Sequence, residues 1–267
     1  MEELPISRAT QQRVYPRWSR ERLQNEAATL KFIASNTSIP VPKLLGLYEE
    51  NGLLHLKTER AIGIALDDLA SNTATKHVAD CLESSILPQL RQLQHHTTGS
   101  VDATLPLIPP SRITCIDKRP NWSRKTSRNT DFVFCHNDLG QHNIFVDPDT
   151  FKITAIIDWE FAGYFAQEFE YPLWKTSYKD RGQDYLQTDR LISFLDDTGE
   201  STTAADAKVF YTDYKRFGAS RQGFVKTPPH HHHHAVLART CTLVSGIHVD
   251  YHRPPSPSHT RTIYPST

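Results

Sequence analysis

The chain has 267 residues, of which 38% are hydrophobic, and its 30 Lys and Arg balance 30 Asp and Glu. That length suits one large domain or two small ones with a real core, and the even charge offers no global attraction to nucleic acid or a membrane surface. The start MEELPISRATQQRVYPRW holds no apolar signal core, and no later run nears the roughly 18 apolar residues of a membrane span, so a cytoplasmic protein is expected. Cys81, Cys115, Cys135 and Cys241 are too widely spaced for a zinc knuckle or a disulfide framework, and are read as reduced, mostly buried thiols.

In chain order, a short strand is expected at Gln12 to Tyr15. From Glu21 to Ser35 the apolar residues Leu23, Ala27, Leu30 and either Ile33 or Ala34 recur at helical spacing, and the prolines of IPVP end that helix. KLLGLYEENGLLHLKTE then sets two apolar runs around Asn51-Gly52, a pair that takes the positive φ angles of a tight turn, which predicts an antiparallel strand pair. Val78, Leu82, Ile86 and Leu90 predict a helical face that Pro88 kinks or splits. From about Gly218 the Pro, Ser, Thr and His content, including His230 to His234, buries too little apolar surface to offset the entropy of ordering, so a mostly disordered tail is expected.

The chemistry is concentrated in FCHNDLGQHNIFVDPDTFKITAIIDWEFAG, Phe134 to Gly163. Runs rich in β-branched and aromatic residues predict strands, and VDPDTF is a turn, so NIFV and ITAIID pair antiparallel with Asn143 and Asp158 at one end. If Asp147 faces Lys152, Asn143 faces Ile156 and Asp158 lies two positions beyond, about 7 Å along the strand. A loop aspartate, an asparagine five residues on and an aspartate after a hairpin are the parts a phosphoryl-transfer site needs: a base for the attacking hydroxyl, and oxygen ligands for magnesium. A hydrolase metal site at His136, Asp138 and His142 is the competing reading, although no further cluster with ligand spacing accompanies it.

HNDLGQHN fits the kinase catalytic loop H-x-D-L-x-x-x-N, and IIDWE sits where protein kinases carry D-F-G. On these motifs the chain resembles the aminoglycoside phosphotransferases and their choline-kinase-like relatives over roughly Gln12 to Asp197. The resemblance implies an α+β, two-lobed protein-kinase-like fold, with a small sheet-plus-helix N-lobe (1–60), a mainly helical C-lobe with a catalytic β-hairpin (61–217) and the tail (218–267). It implies ATP as phosphate donor, magnesium, and a small hydroxyl compound as acceptor. By the same resemblance Asp138 is the catalytic base, His136 braces its loop, and Asn143 and Asp158 hold the metal. Glu26 is the helix glutamate that pairs with a strand lysine, and the backbone from Glu59 to Ala61 meets adenine.

Two departures bear on activity. Arg13 stands where the family's lysine is expected, and a guanidinium does not replace a compact ammonium at a phosphate site. Only twelve residues precede Arg13, and a Pro- and His-rich tail replaces the family's later helices, so the expectation is a kinase core truncated at both ends. Two functions follow: a magnesium-dependent small-molecule kinase, or a catalytically impaired, pseudokinase-like binding protein that keeps the fold.

Overall fold

The computed structural model describes residues 17–69, 71–176, 185–196 and 258–263. Helix α1, Ser19–Asn36, buries the expected Leu23, Ala27 and Leu30, and of the two residues that could end the stripe it buries Ile33 and leaves Ala34 exposed. It stops where Thr37 turns extended, with the Thr37 amide and hydroxyl both donating to Ile33 O, just ahead of the two prolines that cannot extend it. Strands β1, Leu44–Glu50, and β2, Leu53–Glu59, pair antiparallel. Asn51 and Gly52 join them at φ 52° and 75°, the left-handed pair that matches the twist of a hairpin.

The other side of β2 is taken by a strand from the far end of the chain, Ser258–Ile263, numbered β9 below because it is last in order. It runs antiparallel to β2, with Leu56 opposite Arg261. The reading of 218–267 as a disordered tail did not include this strand, because the surrounding Pro, Ser and His masked three β-branched residues, Thr260, Thr262 and Ile263. The rest of the tail, with His230 to His234, and the strand expected at Gln12 to Tyr15 lie outside the described residues.

The chain goes on through β3, Ile64–Ala65, α2, Leu66–Leu69, and α3, Asn72–Cys81. Ser71 caps α3 by accepting from Ala74 N at 3.2 Å, which satisfies one of the orphan donors of its first turn. A π-helical turn over Leu82–Ile86 leads into α4, Leu87–Gln92, and the Leu87 amide reaches back to Leu82 O. This wide turn answers the expectation of a kink: Pro88 has no N–H to give, and the change of register comes one turn before it. Val78, Leu82, Ile86 and Leu90 are all buried, as the spacing predicts.

Strands β4, Gln94–His95, β5, Phe132–Cys135, and β8, Gly163–Phe165, form one small sheet, and β3, β6, Ile144–Val146, and β7, Ile153–Ile156, form another. Two further helices are the short α5, Ser111–Thr114, and α6, Tyr185–Asp196. One apolar core runs from Leu30 and Ile33 of α1 through Val78, Leu82 and Leu90 to Phe134, Ile144, Trp159 and Phe169. Leu23 and Ala27 of the same helix pack on Leu54 and Leu56 instead. Helix α1 therefore belongs to both cores, and each fully buried Leu or Ile on it contributes about 2 kcal/mol. Of the thiols, Cys135 is buried while Cys81 and Cys115 are half-buried; Cys241 lies outside the described residues. Among the described residues no helix is long and apolar enough to cross a membrane.

Candidate active site

The loop after β5 carries His136, Asn137 and Asp138, and its first two side chains anchor it. The His136 ring is fully buried; its Nδ1 accepts from the Asp138 amide at 3.2 Å and its Nε2 faces Ile157 O at 3.0 Å. One acceptor and one donor call for the neutral ring with its proton on Nε2. Burial, against Trp159 with ring centroids 4.4 Å apart, lowers the His136 pKa to about 4, since an imidazolium there would be stripped of water. Asn137 sits at φ 70° and donates from Nδ2 to Phe161 O at 2.8 Å. Two consecutive side chains thus grip the backbone on either side of Asp158.

Asp138 is joined to Asn143 across the loop. Asn143 Nδ2 donates to Asp138 O at 2.9 Å and lies 3.4 Å from Asp138 Oδ2, while the Asn143 amide donates to Gly140 O at 2.9 Å, closing a 3₁₀ turn over Gln141–Asn143. With its amide nitrogen so engaged, the side chain has its oxygen left to offer a cation. His142 Nε2 stands 3.8 Å from Asp138 Oδ2.

The hairpin register differs from the expected one by a single residue. Asp147 does face Lys152, with Asp147 N donating to Lys152 O at 3.0 Å. An irregularity between Phe145 and Val146 then shifts the pairing, so that Ile144 faces Ile156 and Ile157 N donates to Asn143 O at 3.0 Å. Asp158 follows one position beyond Asn143's partner rather than two. A bulge inserts a residue on one strand only, and a simple count along both strands does not anticipate it. Asp158 itself is left-handed, at φ 65° and ψ 53°, a conformation costing a non-glycine residue about 1–2 kcal/mol. The buried Trp159 indole, donating to Ile156 O at 2.9 Å, helps to hold the turn.

Helix α1 meets this turn with polar groups. Carboxylate oxygens of Glu26, Asp158 and Glu160, all buried, lie within 4.8 Å of one another. Arg22 forms an ion pair with Glu160 and stacks its guanidinium over Phe161 at 4.6 Å. Asn25 Nδ2 donates to Glu160 O at 3.0 Å and to Ala162 O at 2.9 Å. Arg13, the partner expected for Glu26, lies outside the described residues.

Glu59 ends β2, exposed, with its amide donating to Lys43 O at 2.9 Å. Ala61, just after it, packs with Ile157 against a small cluster of Ala65, Phe145 and Ala155. The stretch read as a hinge and the residue preceding Asp158 therefore share one apolar surface. Sequence reading missed that surface, and also Asn137, Arg22 and Asn25. Asn137 lies inside a quoted motif, so its position was a usable signal; the partners on α1 carried none.

A helix shared between an antiparallel sheet and a second lobe, whose polar-headed hairpin lies below it, is the α+β, two-lobed protein-kinase-like fold. The chain belongs to the phosphotransferase enzyme family, whose profile matches residues 11–166, a span that takes in every motif residue from Arg13 to Glu160. Among solved structures it is similar to an aminoglycoside-3'-phosphotransferase of type VIII, at 19% identity and a TM-score of 0.41, covering 73% of this chain and 80% of that one. It is also similar to the GDP complex of a mutant aminoglycoside 2'-phosphotransferase-IIIa, at 13% identity and a TM-score of 0.39, covering 67% of each chain. Among curated proteins none matches.

Proposed function

We propose that the chain is an ATP- and magnesium-dependent phosphotransferase acting on a hydroxyl group of a small molecule, of the aminoglycoside phosphotransferase type that its HNDLGQHN and IIDWE motifs resemble. The observation that carries this reading is the bond from Asn143 Nδ2 to Asp138 O at 2.9 Å, with Asp158 at the end of the paired strand. In this reading Asp138 takes the proton of the acceptor hydroxyl as its oxygen bonds to the γ-phosphorus; the bond to the β-bridging oxygen breaks and ADP leaves. His136 and Asn137 hold the loop so that this carboxylate meets the hydroxyl in a fixed place.

Asn143 and Asp158 would hold magnesium. Both are buried and offer an amide oxygen and a carboxylate, hard donors of the kind that ion takes. When bound, it would neutralise charge on the phosphates. Arg13, paired with Glu26, would face the α- and β-phosphates. The backbone from Glu59 to Ala61 would meet adenine, with Phe145 and Ile157 offering an apolar surface to its ring. We take the lobes to divide near residue 60, and the reading goes with a cytoplasmic location, where ATP and magnesium are at hand.

Arg13 in place of a lysine favours a second reading, a pseudokinase-like relative that binds nucleotide and turns over little, because a planar guanidinium does not reproduce the point charge of an ammonium. The deciding experiment supplies ATP, magnesium and a panel of aminoglycosides and other small hydroxyl compounds, and follows ADP release coupled to phosphorylated product. Transfer that falls about 10²–10⁴-fold in Asp138→Asn, with nucleotide binding kept, is the expected result. Equal rates in the variant would remove Asp138 from the chemistry, and nucleotide binding without transfer would select the second reading.

A further inference from the structure

Outside the groups assigned above, one charged pair reaches the catalytic loop from behind. Arg112, on α5, donates from Nη1 to Asn137 O at 2.8 Å and from Nη2 to Phe169 O. Glu170, next to Phe169, accepts the His136 amide hydrogen on Oε2 and draws on the Asn137 amide as well. A guanidinium and a carboxylate, brought from two distant segments, thus hold successive peptide groups of the loop immediately before Asp138. Glu170 Oε1 is buried with no hydrogen-bond partner. A buried carboxylate oxygen with no donor is costly, and it is the atom on which a proton would be retained.

We propose that Arg112 and Glu170 are positioning residues that set the catalytic loop for Asp138, and that the loop is firmly held only while Glu170 is ionised. This rests on the reading of Asp138 as the base. An ionised Oε2 makes a charge-assisted bond to the His136 amide, roughly twice as strong as the neutral one left after a proton settles on Oε1. The charged and titratable groups that face Glu170 are Arg112, Asp138 and Cys135, with Tyr171 beyond Arg112. Burial raises the Glu170 pKa from 4.5 to about 7, against the opposing pull of the two amides and Arg112. The change of charge therefore falls within the neutral range, where a small shift in pH alters how tightly the loop is held.

The test follows the backbone amide shifts of His136 and Asp138 in the ¹⁵N-labelled full chain from about pH 5 to about pH 9. Both amides are expected to move with a common midpoint near 7, and in Glu170→Gln the His136 inflection should vanish. Arg112→Gln, a second variant, should move the midpoint upward, because the neighbouring positive charge favours the carboxylate. A His136 amide that stays flat, or that still titrates in Glu170→Gln, would overturn the proposal. In a protein that transfers phosphate, kcat should fall below the same midpoint with KM little changed, and this limb should be absent in Glu170→Gln; a kcat profile without it would overturn the link to Asp138. Intact amide titration with no transfer at any pH would instead remove the reading of Asp138 as base and leave the loop clamp standing.

Discussion

His136 gives its Nε2 hydrogen to Ile157 O at 3.0 Å, so the loop that bears Asp138 is tied to the residue just before Asp158. Neither carboxylate touches the histidine for its chemistry; the ring acts as a strut between two chain segments separated by 21 positions. Its other nitrogen takes the Asp138 amide, which leaves both ring atoms satisfied and the ring neutral.

Removal of that strut should be costly. His136→Ala leaves Ile157 O and the Asp138 amide without partners in a buried place, and a stability loss of about 2–5 kcal/mol is expected, read by urea denaturation. The pH dependence carries a sign as well. The folded ring titrates at about 4 against an ordinary 6.5, so its contribution to stability is present above 6.5 and is lost as pH falls through 4. A variant lacking the ring should show less of this acid-side decline, and an identical decline in both proteins would contradict the assignment.

Asp158→Ala should abolish magnesium-dependent nucleotide binding while the thermal transition stays cooperative, because the loss is one of charge at the cation rather than of core packing. Calorimetric titration with and without magnesium reads this directly. An unchanged magnesium dependence would move the ion elsewhere.

Gly163 opens β8 where the chain passes Gly99, and the two segments exchange hydrogen bonds between Gly99 and Tyr164, each 2.8 Å long. A Cβ at Gly163 would lie 2.6 Å from Gly99 O, a backbone atom that cannot swing aside. Gly163→Ala should cost about 1–3 kcal/mol through forced displacement of that segment. A melting temperature equal to that of the parent would show that the two segments separate freely.

Deletion of Ser258–Ile263 strips the partner strand from β2 and leaves a row of unpaired backbone groups along it. A melting temperature lower by several degrees and a greater tendency to aggregate are expected, measured by scanning calorimetry and light scattering.

Much of the architecture was legible in the sequence because it is local. The 3.6-residue spacing from Leu23 to Ile33 sets the buried stripe of α1, Asn51-Gly52 sets the β1–β2 turn through its positive φ angles, and Pro88 sets a break in the helix that leads to it. The spacing of His136, Asp138 and Asn143 is likewise local, so the loop bond between Asp138 and Asn143 follows from residues five apart. What tertiary structure alone decided joins distant segments. The bulge between Phe145 and Val146 moves Asp158 by one position relative to Asn143, and depends on how two strands settle on one core. Arg22 and Asn25 reach the turn after Asp158 from more than 130 residues away, Arg112 and Glu170 converge on the loop from two flanks, and β9 finds β2 across the whole chain. Each of these contacts depends on complementary shape and on polar groups that burial obliges to pair, and such demands leave no period in the sequence by which they could be read.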